Sequence, residues 1–304
     1  MVEDALRRIG KINTSDVSIR SARPLPATGY RTSVRMLVNS NGALAYRRPR
    51  SHAMFRPTSC RVSHPLVDEL IGSMRCPGSN EVTIRVGGRT GERMVVVDGD
   101  PAAISAPDDV RISGSDRPDA VSVHELVEGR RLRISGGSFF QSSPEGAEEL
   151  IRLIDLALAD VDAGGVLIDA YSGGGLFSAT IGSEWVAQGG QVIAVEVNPI
   201  AAADAAVNAP HACGVVARFE DWEPVSASAV IADPARSGLQ GPGVASVVGT
   251  QARIVVLVSC DAGALGRDAG LLQSSGYSLT DVSVLDMFNQ TSHVETVSRF
   301  ERTG

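Results

Sequence analysis

The sequence of 304 residues contains no run of about 18 or more apolar residues, the length that a helix needs to cross a bilayer. Its first ten residues, MVEDALRRIG, lack the basic-then-apolar order of a secretory signal. Only four cysteines occur, and they are scattered without a CxxC pair: Cys60, Cys76, Cys213 and Cys260. This spacing is typical of neither a disulfide framework nor a zinc site. We therefore expect a cytoplasmic protein with no membrane partner and no metal site.

An overall excess of basic residues is also missing, because the net charge is −7. The charges are nevertheless distributed unevenly along the chain. Residues 1–60 hold eleven Lys and Arg against three acidic residues, so the rest of the chain is strongly acidic. Such asymmetry indicates a surface that binds a polyanion. A solvated, arginine-rich surface has the same composition, so charge alone leaves both interpretations open.

Residues from about 30 to 135 show short β-like runs separated by glycine turns. The predicted strands lie in TSVRMLV, GALAYRR, EVTIRV, RMVVVDGD and VSVHELV. Four basic or imidazole side chains cluster at a predicted strand end in YRRPRSH: Arg47, Arg48, Arg50 and His52. We therefore predict a smaller, mostly β domain over residues 1–135 with a basic rim.

After Gly136 the pattern changes to alternating strands and helices. Apolar runs predict strands over 166–170, 191–196, 228–233, 253–259 and 277–286. Helices are predicted at PEGAEELIRLIDLALAD, from Leu176 to Ala187 and from Pro199 to Asn208. Near-continuous apolar strands that alternate with helices indicate a doubly wound parallel sheet. HVETVSRFE is predicted as an antiparallel last strand, which completes a Rossmann-like α/β domain over 136–304.

The first strand of this domain runs into a glycine turn, DAYSGGGLFS (169–178). Glycines permit a tight turn and a close approach of the backbone to a nucleotide. Glu196 ends the second strand, where a carboxylate can accept both ribose hydroxyls of an adenosine. Ser178 replaces the third glycine of a dinucleotide fingerprint, and Asp169 precedes the turn. The turn thus favours S-adenosylmethionine over a nicotinamide dinucleotide, although a dehydrogenase stays open on the turn alone.

Four more motifs accompany this turn: SFFQ (138–141), DPARSG (233–238), SCDAGALGRD (259–268) and FNQTSHVET (288–296). In order, spacing and type, the five motifs resemble those of the uracil-5-methyltransferases that act on tRNA and ribosomal RNA. The resemblance covers residues 136–304, and a weaker similarity extends back to ALRRIG, YRTSVR and the stretch from YRRPRSH to CRVSHP. It implies a class I methyltransferase fold, S-adenosylmethionine as cofactor and an RNA substrate, which the basic region 1–135 would contact.

The resemblance also implies a role for individual residues. Cys260 is the expected nucleophile, whose thiolate adds to carbon 6 of uracil, and Glu295 is the expected base that removes the proton from carbon 5. Without the motif, a single cysteine is more often a small buried hydrophobe. The residues expected to contact the cofactor are Gln141, Tyr171, Gly173, Gly175, Glu196 and Asp233. Arg236 and Arg267 could orient loops, contact RNA phosphates or form structural ion pairs.

Several positions depart from the family pattern. Ala235 stands where the family has a second proline, and Ser172 stands where it often has cysteine. The family's N-terminal RNA-binding barrel and cysteine-rich iron–sulfur motif have no counterpart here. Cys60 aligns with the last cysteine of that motif, and one thiolate cannot hold a four-cysteine cluster. We therefore expect no iron–sulfur cluster, and we expect the sequence to be a truncated version of a longer protein.

Two other functions stay open from the sequence. A methyltransferase that modifies an exocyclic nitrogen would have an aromatic residue in the catalytic loop, and DPAR has none. A chain that binds RNA and cofactor without turnover is the second alternative. His293, beside Glu295, is expected to have a structural role rather than to form an acid–base pair with it.

Overall fold

The computed structural model describes residues 1–48, 51–291 and 293–303. Its helices are α1 (Val2–Arg8), α2 (Pro65–Ser73), α3 (Pro144–Leu158), α4 (Leu176–Ala179), α5 (Ile181–Ala187), α6 (Pro199–Asn208), α7 (Gln240–Gly249) and α8 (Ala262–Ser274). The strands up to residue 135 are β1 (Ser18–Ser21), β2 (Ser33–Val38), β3 (Leu44–Arg47), β4 (Met54–Phe55), β5 (Glu81–Val86), β6 (Arg93–Val97), β7 (Val110–Gly114), β8 (Ser122–Val127) and β9 (Arg130–Ser135). The later strands are β10 (Val166–Ala170), β11 (Gln191–Glu196), β12 (Cys213–Val216), β13 (Ala229–Ala232), β14 (Ile254–Ser259), β15 (Tyr277–Leu285) and β16 (Glu295–Arg302).

The chain divides into two compact units. The α/β unit consists of Met1–Leu25 together with Ala147–Gly304, and the β-rich unit is Pro26–Gly146. The sequence patterns predicted a single boundary near residue 136 instead. The structure differs because the first 25 residues pack with the α/β unit, and because the segment after β9 stays with the β-rich unit.

The α/β unit is built on an eight-stranded sheet in the order β1-β15-β16-β14-β13-β10-β11-β12. The strands from β14 to β12 are parallel, and β16 runs antiparallel to both β14 and β15. The chain proceeds outward from β10 to β12 and then returns to β13 on the other side of β10. Ligands of doubly wound sheets bind at the carboxyl ends of the strands beside such a reversal. The predicted fold class and the antiparallel last strand are confirmed.

The centre of this sheet is apolar throughout. Every residue of β13 and of β14 is buried, as the near-continuous apolar runs predicted for strands covered on both faces. Ile168, Val230 and Val255 are fully buried in this core. Each such side chain stabilises the fold by about 1.5–3 kcal/mol relative to its exposed state. The loops at the carboxyl ends of these strands therefore stand on a rigid base.

The helix predicted from Leu176 to Ala187 is divided into α4 and α5. The break lies at Thr180, whose backbone φ of −101° and ψ of −85° are not helical. The buried hydroxyl of Thr180 donates a hydrogen bond to the carbonyl of Leu176 over 2.8 Å. Such a side-chain bond to the preceding turn competes with regular helix geometry, and the sequence pattern did not reveal it.

The N-terminal 25 residues supply two elements to the α/β unit. Strand β1 pairs in parallel with β15, from Ser18 opposite Asp281 to Ser21 opposite Val284. Helix α1 buries Val2 and Leu6 in the core of the unit. Neither element was predicted, because β1 is mostly exposed and α1 has only seven residues, too few to show a clear apolar period.

The β-rich unit contains a six-stranded sheet in the order β4-β3-β2-β5-β6-β7 and a separate β8–β9 hairpin. Its pairs are antiparallel except for the parallel pair β6–β7. Helix α2 buries Leu70 and Ile71 against this sheet. Arg47 ends β3, as predicted for the basic cluster, whereas Arg50 lies outside the described residues. None of the helices in the described ranges is long and apolar enough to span a membrane.

Candidate active site

The glycine turn after β10 has a backbone that only certain residues adopt without strain. Gly173 and Gly175 have φ values of 53° and 82°, in the left-handed region that favours glycine. A Cβ on Gly175 would lie 2.9 Å from the Cα of Ala205 in α6, so the turn is packed directly against that helix. Tyr171 also has a positive φ, of 60°. Strained backbone of this kind is concentrated at functional sites.

Asp169 lies beneath this turn and is almost completely buried. Its Oδ2 accepts hydrogen bonds from the Ser178 amide over 2.9 Å and from the Ser178 hydroxyl over 2.6 Å. Its Oδ1 and the Oγ of Ser172 are buried without a hydrogen-bond partner among the described residues. Burial raises the pKa of Asp169 to about 7. Orphaned polar atoms of this kind indicate that a ligand group or an ordered water completes the site.

Glu196 follows on the neighbouring strand and is held by two backbone amides. Its Oε2 accepts from the Gly173 amide over 2.8 Å, and its Oε1 accepts from the Asn198 amide over 2.7 Å. The half-buried carboxylate therefore has a fixed orientation and one further acceptor direction on each oxygen. This position beside the turn is the one that the sequence predicted for it.

Three residues that support the turn were not predicted from the sequence. The Asn208 side-chain amide donates to the Gly174 carbonyl over 2.8 Å, and Asn198 caps α6 by accepting from the Ile200 amide. The Tyr171 hydroxyl donates to Glu220 over 2.7 Å. The Asn-Pro pair at 198–199 is a recognisable helix-start signal, but nothing in the sequence pairs Tyr171 with Glu220.

Cys260 and Glu295 are brought together by the pairing of β14 with β16. That antiparallel ladder ends with Ser259 opposite Thr296, so the next facing positions are Cys260 and Glu295. The Thr296 hydroxyl donates to the Ser259 carbonyl over 3.0 Å and fixes this end of the ladder. Cys260 is partly buried, whereas Glu295 is only 4% exposed. The predicted nucleophile and base thus share one corner of the sheet.

Asp233 and Arg236 join this corner from the DPARSG loop after β13. Burial raises the pKa of the Cys260 thiol, and the carboxylates of Glu295 and Asp233 raise it further. A hydrogen bond from Arg236 and its positive charge oppose this rise. Burial and the charge of Asp233 raise the pKa of Glu295 well above its usual range, and burial raises the pKa of Asp233. At Cys260, one guanidinium, that of Arg236, therefore opposes the combined effect of burial and two carboxylates on the thiol.

The DPARSG loop is held in place by α8. Asp268, 1% exposed, accepts from the Leu239 amide over 2.7 Å and from the Gln240 amide over 3.1 Å. Arg267 donates to the carboxylate of Asp268 and to the carbonyl of Ser237. Of the roles that the sequence left open for Arg267, the structure shows the ion pair that orients a loop. Asp268 itself was not predicted.

The two remaining residues that the sequence singled out are Gln141 and His293. Gln141 is half-buried in the β-rich unit, between β9 and α3, rather than in the α/β unit as the predicted boundary implied. His293 precedes β16, which begins at Glu295, so strand alternation does not place their side chains on one face. Its ring meets the Phe288 ring edge-on with centroids 6.3 Å apart.

Comparison with known proteins places this geometry in context. The chain is 27% identical over 292 residues to a Streptomyces avermitilis protein, 28% identical over 299 to one from Streptomyces coelicolor and 29% identical over 351 to one from Thermosynechococcus vestitus. All three are named uncharacterized RNA methyltransferases. The matches cover 90%, 90% and 98% of this chain, and the chain spans 67%, 63% and 77% of the length of those relatives. No protein-family model matches the chain.

Among solved structures, the chain is similar to the Pyrococcus abyssi tRNA (uracil-54, C5)-methyltransferase in complex with S-adenosyl-L-homocysteine. The TM-score is 0.73 at 21% identity, and the match covers 98% of this chain and 81% of the other. At this identity the likeness shows the fold, which is that of a class I methyltransferase. The fold confirms the fold class that the five motifs predicted, and the named relatives are similar to this chain at the level of RNA methyltransferases.

Proposed function

We propose that this chain is an RNA methyltransferase that transfers a methyl group from S-adenosylmethionine to carbon 5 of a uridine, with Cys260 as the nucleophile. The observation that carries the proposal is the register of β14 and β16, which makes Cys260 and Glu295 neighbours at the carboxyl end of the sheet. A thiol beside a buried carboxyl group is the pair that this reaction needs, because one group must attack carbon 6 and another must deprotonate carbon 5.

The residues of the glycine turn fit the cofactor. Glu196, fixed by two backbone amides, would accept the ribose hydroxyls, while the orphaned oxygens of Asp169 and Ser172 would accept from the ammonium of the amino-acid portion. Tyr171, Gly173 and Gly175 would form the wall of this site. When bound, the cofactor supplies an electrophilic methyl group and a positive charge.

Cys260 begins the proposed reaction by adding its thiolate to carbon 6 of the uracil ring, which moves the electron pair of the 5,6 double bond toward the carbonyl at carbon 4. Arg236 opposes the rise in the thiol pKa that burial causes, and so favours the thiolate. Carbon 5 then has the electron density to accept the methyl group. The covalent bond to Cys260 therefore activates a carbon that is otherwise a poor nucleophile.

Glu295 completes the reaction by taking the remaining proton from carbon 5, after which the 5,6 double bond reforms and the Cys260 thiolate leaves. The raised pKa of Glu295 makes its carboxylate a stronger base than one on the surface. The positive charge of a bound cofactor would favour the ionised forms of Glu295 and Asp233. We assign Asp233 to the contact between cofactor and target base, and we assign Gln141 to the cofactor, as the motif resemblance implies.

The names of similar proteins support this assignment. The relatives are named RNA methyltransferases, and the Pyrococcus abyssi protein is named for a uracil C5 reaction on tRNA. Those names indicate an RNA substrate for this chain. The eleven basic residues of the segment 1–60 agree with such a substrate; five of them lie in residues 1–25 and six in residues 26–60. We propose that the β-rich unit also contacts the RNA.

The test is a methyl-transfer assay with labelled cofactor on RNA that lacks 5-methyluridine, followed by nucleoside analysis. We expect the label in 5-methyluridine, and separate reactions with tRNA and ribosomal RNA name the substrate class. Label in any other nucleoside would contradict the proposed acceptor. A Cys260→Ser variant that keeps full methyl transfer would contradict the proposed mechanism.

A further inference from the structure

A cavity of about 360 Å³ opens beside Cys260, on the side of the N-terminal helix. It lies wholly within the α/β unit. On one side it is lined by Asp4, Arg8 and Ile9, from α1 and the turn after it. On the other side it is lined by Cys260, Gly263 and His293. Its volume is in the range of small-ligand sites, about 300–1,000 Å³. The mechanism proposed above assigns no role to its α1 wall.

The α1 wall is fixed rigidly to the helix that follows Cys260. A Cβ on Gly266 would lie 2.6 Å from the Ala5 carbonyl oxygen, and one on Gly10 would lie 2.5 Å from the Gly266 carbonyl oxygen. A Cβ on Gly270 would lie 2.8 Å from the Gly10 carbonyl oxygen. The backbone of α1 and of the turn after it therefore touches α8 through glycines, of which Gly10 belongs to the ALRRIG motif and Gly266 to SCDAGALGRD. This contact holds the cavity in one shape.

The side chains on this wall suit a nucleotide. Ile9 leaves 52% of its surface exposed, a large fraction for an isoleucine in a cavity wall. The Arg8 side chain is 80% exposed, and its ion pair with Asp4 over 3.0 Å lies at the surface. Exposed ion pairs of this kind contribute at most about 1 kcal/mol to stability. A phosphate can therefore replace the Asp4 carboxylate as the partner of the Arg8 guanidinium. Asp261, the other carboxylate among the described residues of the lining, accepts a hydrogen bond from the Ala264 amide.

We propose that α1 forms a subsite for the nucleotide that adjoins the target uridine in the RNA, with Arg8 on its phosphate and Ile9 against its base or ribose. The subsite rests on the proposed function, because RNA whose uracil is at Cys260 must continue into the surrounding surface. Cys260 lines the cavity, and Arg8, the one Lys or Arg among the described residues of its lining, matches the charge of the RNA backbone.

The matched control is Arg7, which is exposed on the same helix but does not line the cavity. The dissociation constant of a stem–loop RNA whose loop holds a single unpaired uridine, which serves as the target uridine, is measured by fluorescence anisotropy for the wild type, Arg8→Gln and Arg7→Gln. We expect Arg8→Gln to raise it about tenfold, the effect of losing one charge-assisted contact. Arg7→Gln should change it less than about twofold. Equal effects of the two variants would mean that Arg8 acts only through the overall positive charge of the surface, and this result would overturn the subsite. The absence of an effect in both variants would overturn it as well.

A second measurement identifies the phosphate that Arg8 contacts. The phosphate on one side of the target uridine, and then that on the other, is replaced by an uncharged methylphosphonate. At one of the two positions the wild type should lose about tenfold in affinity, whereas Arg8→Gln should lose no more than twofold there. Equal losses in both proteins at both positions would contradict the assignment. Unchanged melting temperature and cofactor affinity verify that Arg8→Gln is folded.

These binding measurements are independent of turnover. A chain that makes no 5-methyluridine yet shows the Arg8-specific loss would overturn the proposed function and keep an RNA subsite on α1. A chain that makes 5-methyluridine without that loss would keep the proposed function and overturn the subsite.

Discussion

The glycine turn after β10 lies at the same edge of the sheet as the corner after β14, which contains Cys260, Glu295, Asp233 and Arg236. The acidic groups of the two regions have different environments. At the turn, both oxygens of Glu196 accept from backbone amides, which hold the side chain in one orientation. At the corner, the charges of Glu295 and Asp233 act on Cys260, the charge of Asp233 acts on Glu295, and the pKa of each group is raised. Only Arg236 opposes this rise at Cys260.

The difference corresponds to what each region has to do. A binding site needs a fixed charge and a fixed geometry before the ligand arrives, and backbone amides provide both. A site that moves protons needs groups whose charge changes during the reaction, and burial of like charges keeps those groups close to their protonated forms. Substitutions at the corner should therefore abolish chemistry, whereas substitutions at the turn should weaken binding.

The largest effect is expected from Cys260→Ala. Without the thiolate, carbon 5 is not activated, so methyl transfer should fall by more than about a thousandfold. Cofactor affinity should stay within about twofold of the wild type, because Cys260 is not part of the glycine turn. Cys213→Ser is the control, because Cys213 is exposed on β12. Residual activity of Cys260→Ala above a few per cent would mean that the corner acts without covalent catalysis.

Glu295→Gln should interrupt the reaction at a later point. The thiolate can still attack, but proton removal from carbon 5 should slow by about 10²- to 10⁴-fold. A covalent protein–RNA complex should therefore accumulate and be visible on a denaturing gel, unlike with Cys260→Ala. Glu301→Gln, farther along the same strand, is the matched control. If Glu295→Gln left turnover unchanged, the base would have to be another group.

Glu196→Gln tests the turn. The amide group can accept only one of the two backbone hydrogen bonds and loses the charged acceptor for the ribose, so cofactor affinity should fall by about tenfold. Isothermal calorimetry with S-adenosylmethionine measures this loss, and Glu184→Gln on the exposed face of α5 is the control. Turnover at saturating cofactor should change little. A large fall in turnover with unchanged affinity would reverse the contrast between the two regions.

Sequence patterns predicted the central part of the α/β unit well, because buried parallel strands are nearly continuous apolar runs. Strands β10 and β11 and helix α6 were found at the predicted bounds. The contribution of β1 was missed because a short, exposed edge strand has no apolar alternation, and its pairing with β15 joins residues far apart in the chain. A single domain boundary along the sequence could not describe the α/β unit, because that unit consists of two separate segments of the chain.

The candidate site shows the same limit. The family motifs predicted Cys260 and Glu295, and Glu196 was predicted because it ends an apolar strand beside the glycine turn. Asp268 and Glu220 were missed because their roles depend on tertiary contacts, with the Leu239 amide in one case and the Tyr171 hydroxyl in the other. Residues that hold a loop from another element leave no local pattern in the sequence.

The smallest effect concerns Asp169, which belongs to the turn yet has a pKa raised to about 7, as at the corner. A buried carboxyl group whose pKa is higher in the folded than in the unfolded chain stabilises the fold at low pH, and this contribution is lost as the pH rises from about 4 to 7. The loss amounts to at most about 4 kcal/mol, since one pKa unit corresponds to about 1.4 kcal/mol. Asp169→Asn removes the titration.

The melting temperature of the wild type should therefore decline more between pH 5 and pH 8 than that of Asp169→Asn, with Asp155→Asn on the exposed face of α3 as the control. Saturating S-adenosylmethionine should reduce the difference, because its ammonium would stabilise the ionised carboxylate. Parallel pH profiles of the wild type and Asp169→Asn would show that Asp169 is ionised throughout. In that case the turn would hold two fixed charges, and the contrast with the corner would be sharper than the structure indicates.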